Sequence, residues 1–457
     1  MLKDTIAAIA TPAGTGGIGI VRISGSEAAS ILNLLFKSSH SVTLFKPRYL
    51  YHGDLSDPQT GQVIDEVLVS LMKAPRSYTG EDTLEIYCHG GILVLESVLL
   101  AVLRSGARLA DPGEFTRRAF LNDRIDLTQA EAVGDVIMAR TSKGLEAAVS
   151  HLKGQLKQKI DSLRDELIDV QVLLESAIDF TEDVEFPSPS EVLSKLERLS
   201  SDLEALLSTY DQGKVYRHGA TVVIAGKPNT GKSSLLNCLL QEKRAIVTPV
   251  PGTTRDFIEE AISIQGVSVR MIDTAGIHPT DDLIECEGIR MVWEKLATAD
   301  GVILLLDGSK DLTDEDRKIL KRLQGYNLLP VINKADLDHS LKEEDIIACF
   351  PGTDPLWVSA KFGEGIAVLK EKIYDLVLEK AGEQDGDVLI NSLRHKMALE
   401  KTRQQVSQAL ASLQEGLSQE FAALDIREAL EALGEIAGET VTEDILDRIF
   451  SSFCIGK

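Results

Sequence analysis

Residues 220–237 read ATVVIAGKPNTGKSSLLN, and this stretch decides the fold of the middle of the chain. TVVIA is an apolar run of the kind that forms a strand buried on both faces. SSLLNCLL, beyond the loop, predicts a helix. Between them Gly226-Lys227-Pro228-Asn229-Thr230-Gly231-Lys232-Ser233 fits G-x-x-x-x-G-K-[ST] at every position, in the strand-before, helix-after setting that gives the motif its meaning. The glycines let backbone N–H groups close on phosphate oxygens, and the helix N-terminus adds its dipole. Lys232 is placed to neutralise the β and γ phosphates and Ser233 to put its hydroxyl on Mg²⁺. Asn229, Thr230, Gly231, Lys232, Ser233 and Ser234 are therefore the expected nucleotide contacts of this loop.

Working outward, four more runs follow: VSVRMID, DGVILLLD, LLPVIN and PLWVSA. With TVVIA they predict a mainly parallel sheet with helices between the strands. Three of these runs lead directly into a motif. NKAD places Asn333, Lys334, Ala335 and Asp336 at the base, where the Asp336 carboxylate can accept from both N1–H and the exocyclic amine of guanine. Adenine offers no such pair. SAK (Ser359, Ala360, Lys361) supports the base from the other side. DTAG (Asp273, Thr274, Ala275, Gly276) brings Asp273 toward Mg²⁺ through water and Gly276 toward the γ-phosphate. The 248–254 loop (Thr248, Pro249, Val250, Pro251, Gly252, Thr253, Thr254) supplies a switch threonine for Mg²⁺, either Thr253 or Thr254. The expected ligand is GTP with Mg²⁺.

Two parts of a hydrolytic site are not spelled out by these motifs. The residue after DTAG is Ile277, which cannot orient a water, so one of the acidic residues that follow (Asp281, Asp282, Glu285, Glu287) is the candidate for that role. Positive charge near the β–γ bridge is also needed. Asn229 lies where its carbonyl oxygen can ligate a monovalent cation, with carbonyls of the 248–253 loop to complete the site. Arg255 reads as a surface residue of the switch loop.

The flanks are different. Residues 1–120 alternate short strand-like runs (IGIVRISG, DTLEIYCHGG) with turns, which predicts a mixed α+β domain. From about 126 to 210 the spacing of Leu152, Leu156, Ile160, Leu163, Leu167, Val170, Leu174 and Ala177 predicts one long amphipathic helix. FPSPS (186–190) ends it and EVLSKLERLSSDLEALLSTY begins another. Helical patterns return from about 390 to the end. The expected organisation is an N-terminal domain over 1–120, a helical domain over 121–215 and 383–457, and an α/β domain over 216–382 inserted into it.

At 457 residues the chain is too long for one ordinary core. No stretch reaches the ~20 uninterrupted apolar residues of a membrane span. The five cysteines are scattered, with no CxxC pair, as expected for free thiols in a reducing cytoplasm and not for a zinc site. A net charge of −23 argues against a surface that grips nucleic acid throughout. A local basic patch, with Arg117, Arg118 and Arg124 as candidates, or a basic partner would be required.

The chain resembles the MnmE (TrmE) family of tRNA-modification GTPases over essentially its whole length. The resemblance is carried by ATPAGTGGIGIVRISG, SYTGEDTLEIYCHGG, PGEFTRRAFLNDRIDLTQAEAV, the GKPNTGKSSLLN and PGTTRD loops and the final FCIGK. It implies a homodimerising N-terminal domain that binds 5-formyl- or 5,10-methylene-tetrahydrofolate through Arg22, Glu85 and Arg124, with Lys457 reaching in from the C-terminus. It implies K⁺ as activating cation, held by Asn229, Thr248, Val250 and Thr253, with Thr254 as the Mg²⁺ threonine and Glu285 as the catalytic carboxylate. It also implies a FAD-dependent partner of the MnmG (GidA) family, in a heterotetramer or larger assembly. Together the two would modify C5 of the wobble uridine of certain tRNAs, adding an aminomethyl or carboxymethylaminomethyl group. Cys454 stays open between a nucleophile and a small packing residue. A signalling or ribosome-assembly GTPase would share every motif from 226 to 361, but not the N-terminal blocks or CIGK.

Overall fold

The computed structural model describes residues 4–40, 44–179, 189–241, 259–273, 296–349, 354–378 and 388–457. These form two compact units, Met1–Gly134 with Leu433–Lys457, and Asp135–Ala432.

The first unit is built on seven strands: β1 (Ile6–Ile9), β2 (Gly19–Ser24), β3 (Phe36–Ser38), β4 (Leu50–Ser56), β5 (Val63–Met72), β6 (Thr83–Cys88) and β7 (Arg108–Leu109). Their order in the sheet is β3-β4-β5-β6-β2-β1-β7, and all neighbours are antiparallel except β1 and β7. Alternation divides the residues between the two faces. Val21 and Ile23 of β2 join a buried cluster with Ile31 and Leu32 of helix Ala28–Leu35 and Val98 and Val102 of helix Ile92–Arg104. Arg22, between them, takes the opposite face. Helix Glu443–Phe450 returns to this unit, where Leu446 and Phe450 pack on Leu127 and Ala130.

The second unit holds the helices Ser142–Leu152, Gln155–Asp179, Pro189–Ser208, Tyr210–His218 and Leu393–Gln414, and a six-stranded sheet. Leu156, Ile160, Leu163, Leu167, Val170 and Leu174 are all buried, as their spacing predicts. Leu152 belongs to the preceding helix, because the chain turns at Lys153-Gly154 before Gln155 starts the long one. The strands are β8 (Ala220–Ala225), β9 (Glu259–Ile264), β10 (Val267–Asp273), β11 (Gly301–Asp307), β12 (Leu328–Asn333) and β13 (Leu356–Val358). Their order is β13-β12-β11-β8-β10-β9. All pairs are parallel except the edge hairpin of β9 and β10. Both faces carry cores: Val222 and Ile224 point to one cluster, Val223 and Ala225 to the other. Among the described residues no helix is long and apolar enough to cross a membrane.

Candidate functional site

β8 is buried almost throughout and delivers the chain to the loop that opens helix Lys232–Gln241. Asn229 adopts φ +65° and Gly231 φ +97°, the left-handed region that Gly and Asn tolerate best. Gly231 is also a matter of space, since a Cβ there would lie 2.3 Å from the Asn333 side-chain nitrogen. Lys232 is buried, and its ammonium donates to the carbonyls of Gly226 (2.7 Å) and Lys227 (2.8 Å). Burial lowers its pKa, while the Asp273 carboxylate acts in the opposite sense. The Ser233 hydroxyl donates to Asp273 Oδ2 at 2.9 Å, so the two residues expected near Mg²⁺ are adjacent. Ser234 occupies the first turn of the same helix. Lys227 is held outside the loop by Asp316 (2.7 Å) and by the Thr313 hydroxyl, the capping box of helix Asp314–Arg322.

The base-recognition loops meet at Asn333, which is buried at the end of β12. Its amide nitrogen donates to the Thr230 carbonyl (2.8 Å), and its oxygen accepts from the Ala360 backbone N–H (3.0 Å). One side chain thus joins the P-loop, NKAD and SAK. The Ser359 hydroxyl donates to Asp336 Oδ1 at 2.7 Å, fixing the carboxylate by one oxygen. Ala335 donates its N–H to Val358 O (3.1 Å). Lys334 pairs with Asp307 at 2.6 Å. Burial pushes the Asp307 carboxyl up, but bonds from Lys334 and Ser309 outweigh it and hold the group below its usual range. The Lys361 ammonium lies 5.0 Å from the Phe362 ring centroid.

Thr248, Pro249, Val250, Pro251, Gly252, Thr253, Thr254, Thr274, Ala275, Gly276 and Glu285 lie outside the described residues, as do Arg255, Ile277, Asp281, Asp282 and Glu287. The Mg²⁺ threonine, three of the four expected K⁺ ligands and the expected catalytic glutamate fall in this group.

In the first unit, Arg22 of β2 and Glu85 of β6 are direct cross-strand partners, so both side chains share the face opposite the helices. They pair at 2.8 Å and 3.0 Å through two guanidinium nitrogens. Arg22 is packed over Tyr78 (5.5 Å) and Phe115 (5.9 Å), and its Nη1 reaches Gly456 O at 3.5 Å. The second Glu85 oxygen accepts from Tyr87 Oη at 2.5 Å. Burial, then Glu85, push the Tyr87 phenol up to about 12. Gly456 has φ +97°, and a Cβ there would meet Ile9 O at 2.3 Å. Only glycine lets the chain pass this close, and it delivers the half-buried Lys457. Burial and then Arg22 lower the Lys457 pKa, with Glu85 opposing. Arg124 donates to Ser77 O at 3.1 Å, one residue from the Tyr78 ring that covers Arg22. Tyr78 and Tyr87 were not singled out by sequence reasoning; the alternation of β6 from Glu85 points to Tyr87. Cys454 is exposed, so packing does not account for it.

Two of the three arginines expected in a basic patch, Arg117 and Arg118, are corrected by the structure. Arg118 is buried against Asp4 (2.8 Å), Glu114 (2.9 Å) and Glu81 (3.2 Å), and Arg117 is paired with Glu443 and Asp447. Carboxylates neutralise both, from four residues away for Glu114 and from distant segments for Asp4, Glu81, Glu443 and Asp447.

Residues 5–124 match the family model for the GTP-binding protein TrmE N-terminus, and residues 127–454 match that for the MnmE helical domain. The tRNA modification GTPase MnmE of Geobacter sulfurreducens is 47% identical over 458 residues, covering 100% of both chains. Those of Geobacter metallireducens (46% over 458 residues) and Alkaliphilus oremlandii (45% over 459 residues) also match over 100% of both chains.

Proposed function

Because this chain belongs to the MnmE family, the tRNA-modification GTPases, we propose that it couples GTP hydrolysis to one-carbon chemistry at the wobble uridine of tRNA. With a FAD-dependent partner of the MnmG type it adds an aminomethyl or carboxymethylaminomethyl group at C5, taking the carbon from 5-formyl- or 5,10-methylene-tetrahydrofolate. It acts as a homodimer, joined through residues 1–120 and through the inserted GTPase domain over 216–382.

The observation that carries the one-carbon half is the meeting of Arg22, Glu85 and Lys457. Arg22 pairs with Glu85, and the Lys457 ammonium is near enough to be influenced by both, so the cluster offers cations to a carboxylate of the folate's glutamate tail. Glu85 suits the amine and ring N–H donors of a pterin. Arg124 lines the same neighbourhood through Ser77. A signalling GTPase has no use for such a cluster.

At the nucleotide, Lys232 offers the phosphates its third N–H while the other two stay on the Gly226 and Lys227 carbonyls. Ser359 holds Asp336 with one oxygen braced while the carboxylate reads the guanine edge. Ser233 and Asp273 form an oxygen pair suited to a hard cation, completed by Thr254. Asn229, Thr248, Val250 and Thr253 would hold K⁺. When bound, the two ions supply positive charge at the β–γ bridge. Glu285 takes the role that Ile277 cannot, orienting the water and holding its proton.

Calorimetry of the full chain with 5-formyl-tetrahydrofolate tests this reading. Measurable heat is expected from the wild type, and a strongly reduced signal from Glu85→Ala and Lys457→Ala, with GTP turnover retained in all three. No heat from a folded, GTP-hydrolysing protein would leave a GTPase without the one-carbon role.

A further inference from the structure

A second concentration of positive charge lies in the unit Asp135–Ala432, at the ends of β8 and β10 remote from the P-loop. A cleft of about 260 Å³ opens there, and Arg140, Thr141, Arg217, His218, Ser268 and Arg270 contribute to its walls. That is the volume of on the order of nine waters, enough for a phosphate with part of its ribose chain. Three separate elements bring these side chains together. Val267, Val269 and Met271 of β10 are buried, so alternation sends Ser268 and Arg270 to the other face. Arg217 closes helix Tyr210–His218, where basic residues fill the last turn. Thr141 caps helix Ser142–Leu152 by accepting from Gly144 N at 3.2 Å, which sets the positive end of that helix dipole at the cleft wall.

Arg217 is held in place. Its Nε donates to Asp135 Oδ1 at 2.8 Å, and Asp135 Oδ2 accepts from Asn391 at 3.2 Å. The carboxylate therefore grips one edge of the guanidinium, and the terminal nitrogens remain for another acceptor. Asp300, close by, accepts from the Thr221 backbone N–H at 2.8 Å. Burial lowers the pKa of His218, and Arg217 and Lys214 lower it further against Asp135, in keeping with a positive local field. In a chain of net charge −23, three arginines stand around one cleft.

We propose that this cleft is an oxyanion site that takes a phosphate group, supplied by an RNA backbone or as the free ion, with Arg140 and Arg270 flanking the braced Arg217. The RNA source rests on the tRNA-modifying role proposed above; the phosphate chemistry does not. A phosphodiester would add backbone contacts without reading sequence.

The test uses the full chain, with Arg140→Glu and Arg140→Lys. Arg140 is exposed and belongs to neither the nucleotide site nor the Arg22 cluster. Binding of a fluorescein-labelled tRNA anticodon stem-loop is followed by anisotropy across a salt series, and inorganic phosphate binding by calorimetry. Arg140→Glu should weaken RNA binding about tenfold and flatten the log K against log salt slope by about one, with Arg140→Lys restoring most of both. RNA-free GTP turnover should be unchanged. Loss of phosphate binding with RNA binding intact assigns the site to the free ion. Wild-type binding of both, in a variant that melts at the wild-type temperature, overturns the site. Should Arg140→Glu not fold, Arg270→Gln is read by the same measurements. If the wild type binds no RNA, the tRNA source fails and the phosphate arm alone decides the site.

Discussion

Asn333 and Thr230 stand 103 residues apart in sequence, yet the Asn333 amide donates to the Thr230 carbonyl at 2.8 Å. The bond is buried and is one of two that the Asn333 side chain makes between loops. Asn333→Ala orphans the Thr230 carbonyl and the Ala360 N–H, at about 1–3 kcal/mol for each group left unsatisfied. GTP affinity should fall roughly 10- to 100-fold, as read by titration with a fluorescent guanine nucleotide. Wild-type affinity would mean that the P-loop does not depend on this strut.

Asp336 keeps one oxygen on Ser359. Asp336→Asn replaces an acceptor with a donor and should shift preference from guanine to xanthine nucleotides. Competition by XTP against labelled GTP measures the shift. Equal affinity of the wild type for ATP and GTP would refute the base assignment.

The cation prediction has to respect the backbone. Asn229 sits at φ +65°, so Asn229→Ala adds a conformational cost of about 1–2 kcal/mol unrelated to any ion. Asn229→Gly removes the side chain without that cost. Turnover of the wild type should rise several-fold from NaCl to KCl at equal ionic strength, and Asn229→Gly should lose most of the rise. Equal wild-type rates in the two salts count against K⁺ activation.

Glu285 lies outside the described residues, so its test is kinetic. Glu285→Ala should lower kcat roughly 100-fold, the effect of losing one positioned base, with GTP affinity nearly unchanged. Asp281→Ala and Glu287→Ala should keep most activity. If one of those is inactive while Glu285→Ala is not, the role passes to that carboxylate.

Arg118 gives a prediction in acid. Burial raises the Asp4 and Glu114 carboxyls, but the Arg108 and Arg118 guanidiniums outweigh it and hold both below the usual range. Depressed carboxylate values stabilise the fold above the ordinary carboxylate range, and that contribution is lost as pH falls through the depressed values. The wild type should lose stability between about pH 5 and 3. Arg118→Met removes one of the two guanidiniums while Arg108 still pairs with Asp4 and Glu114, so it should cost about 1–3 kcal/mol at neutral pH and show a shallower loss over that interval. Denaturant melts across pH compare the two slopes, and parallel slopes would exclude the network as their source.

The sequence made the nucleotide half of the molecule legible because the P-loop, DTAG, NKAD and SAK each sit directly after an apolar strand. Position along the chain and position in space are there nearly the same thing. β9 escaped because EEAISI alternates instead of running apolar, although the hairpin at Gln265-Gly266, both at positive φ, is a local signal. Arg118 was misjudged because its partners Asp4 and Glu81 are contributed by distant segments. The cleft around Arg140, Arg217 and Arg270 was missed for the same reason: three separate elements supply its arginines, and no window of sequence holds them together.

Lys232 donates to two carbonyls of its own loop, which fixes where the third N–H of its ammonium can point. The side chain is buried and already ordered by backbone oxygens, so little rotamer entropy is left to lose when that third N–H meets a phosphate oxygen. The loop thus aims its own lysine, and the contact with a phosphate needs little further ordering.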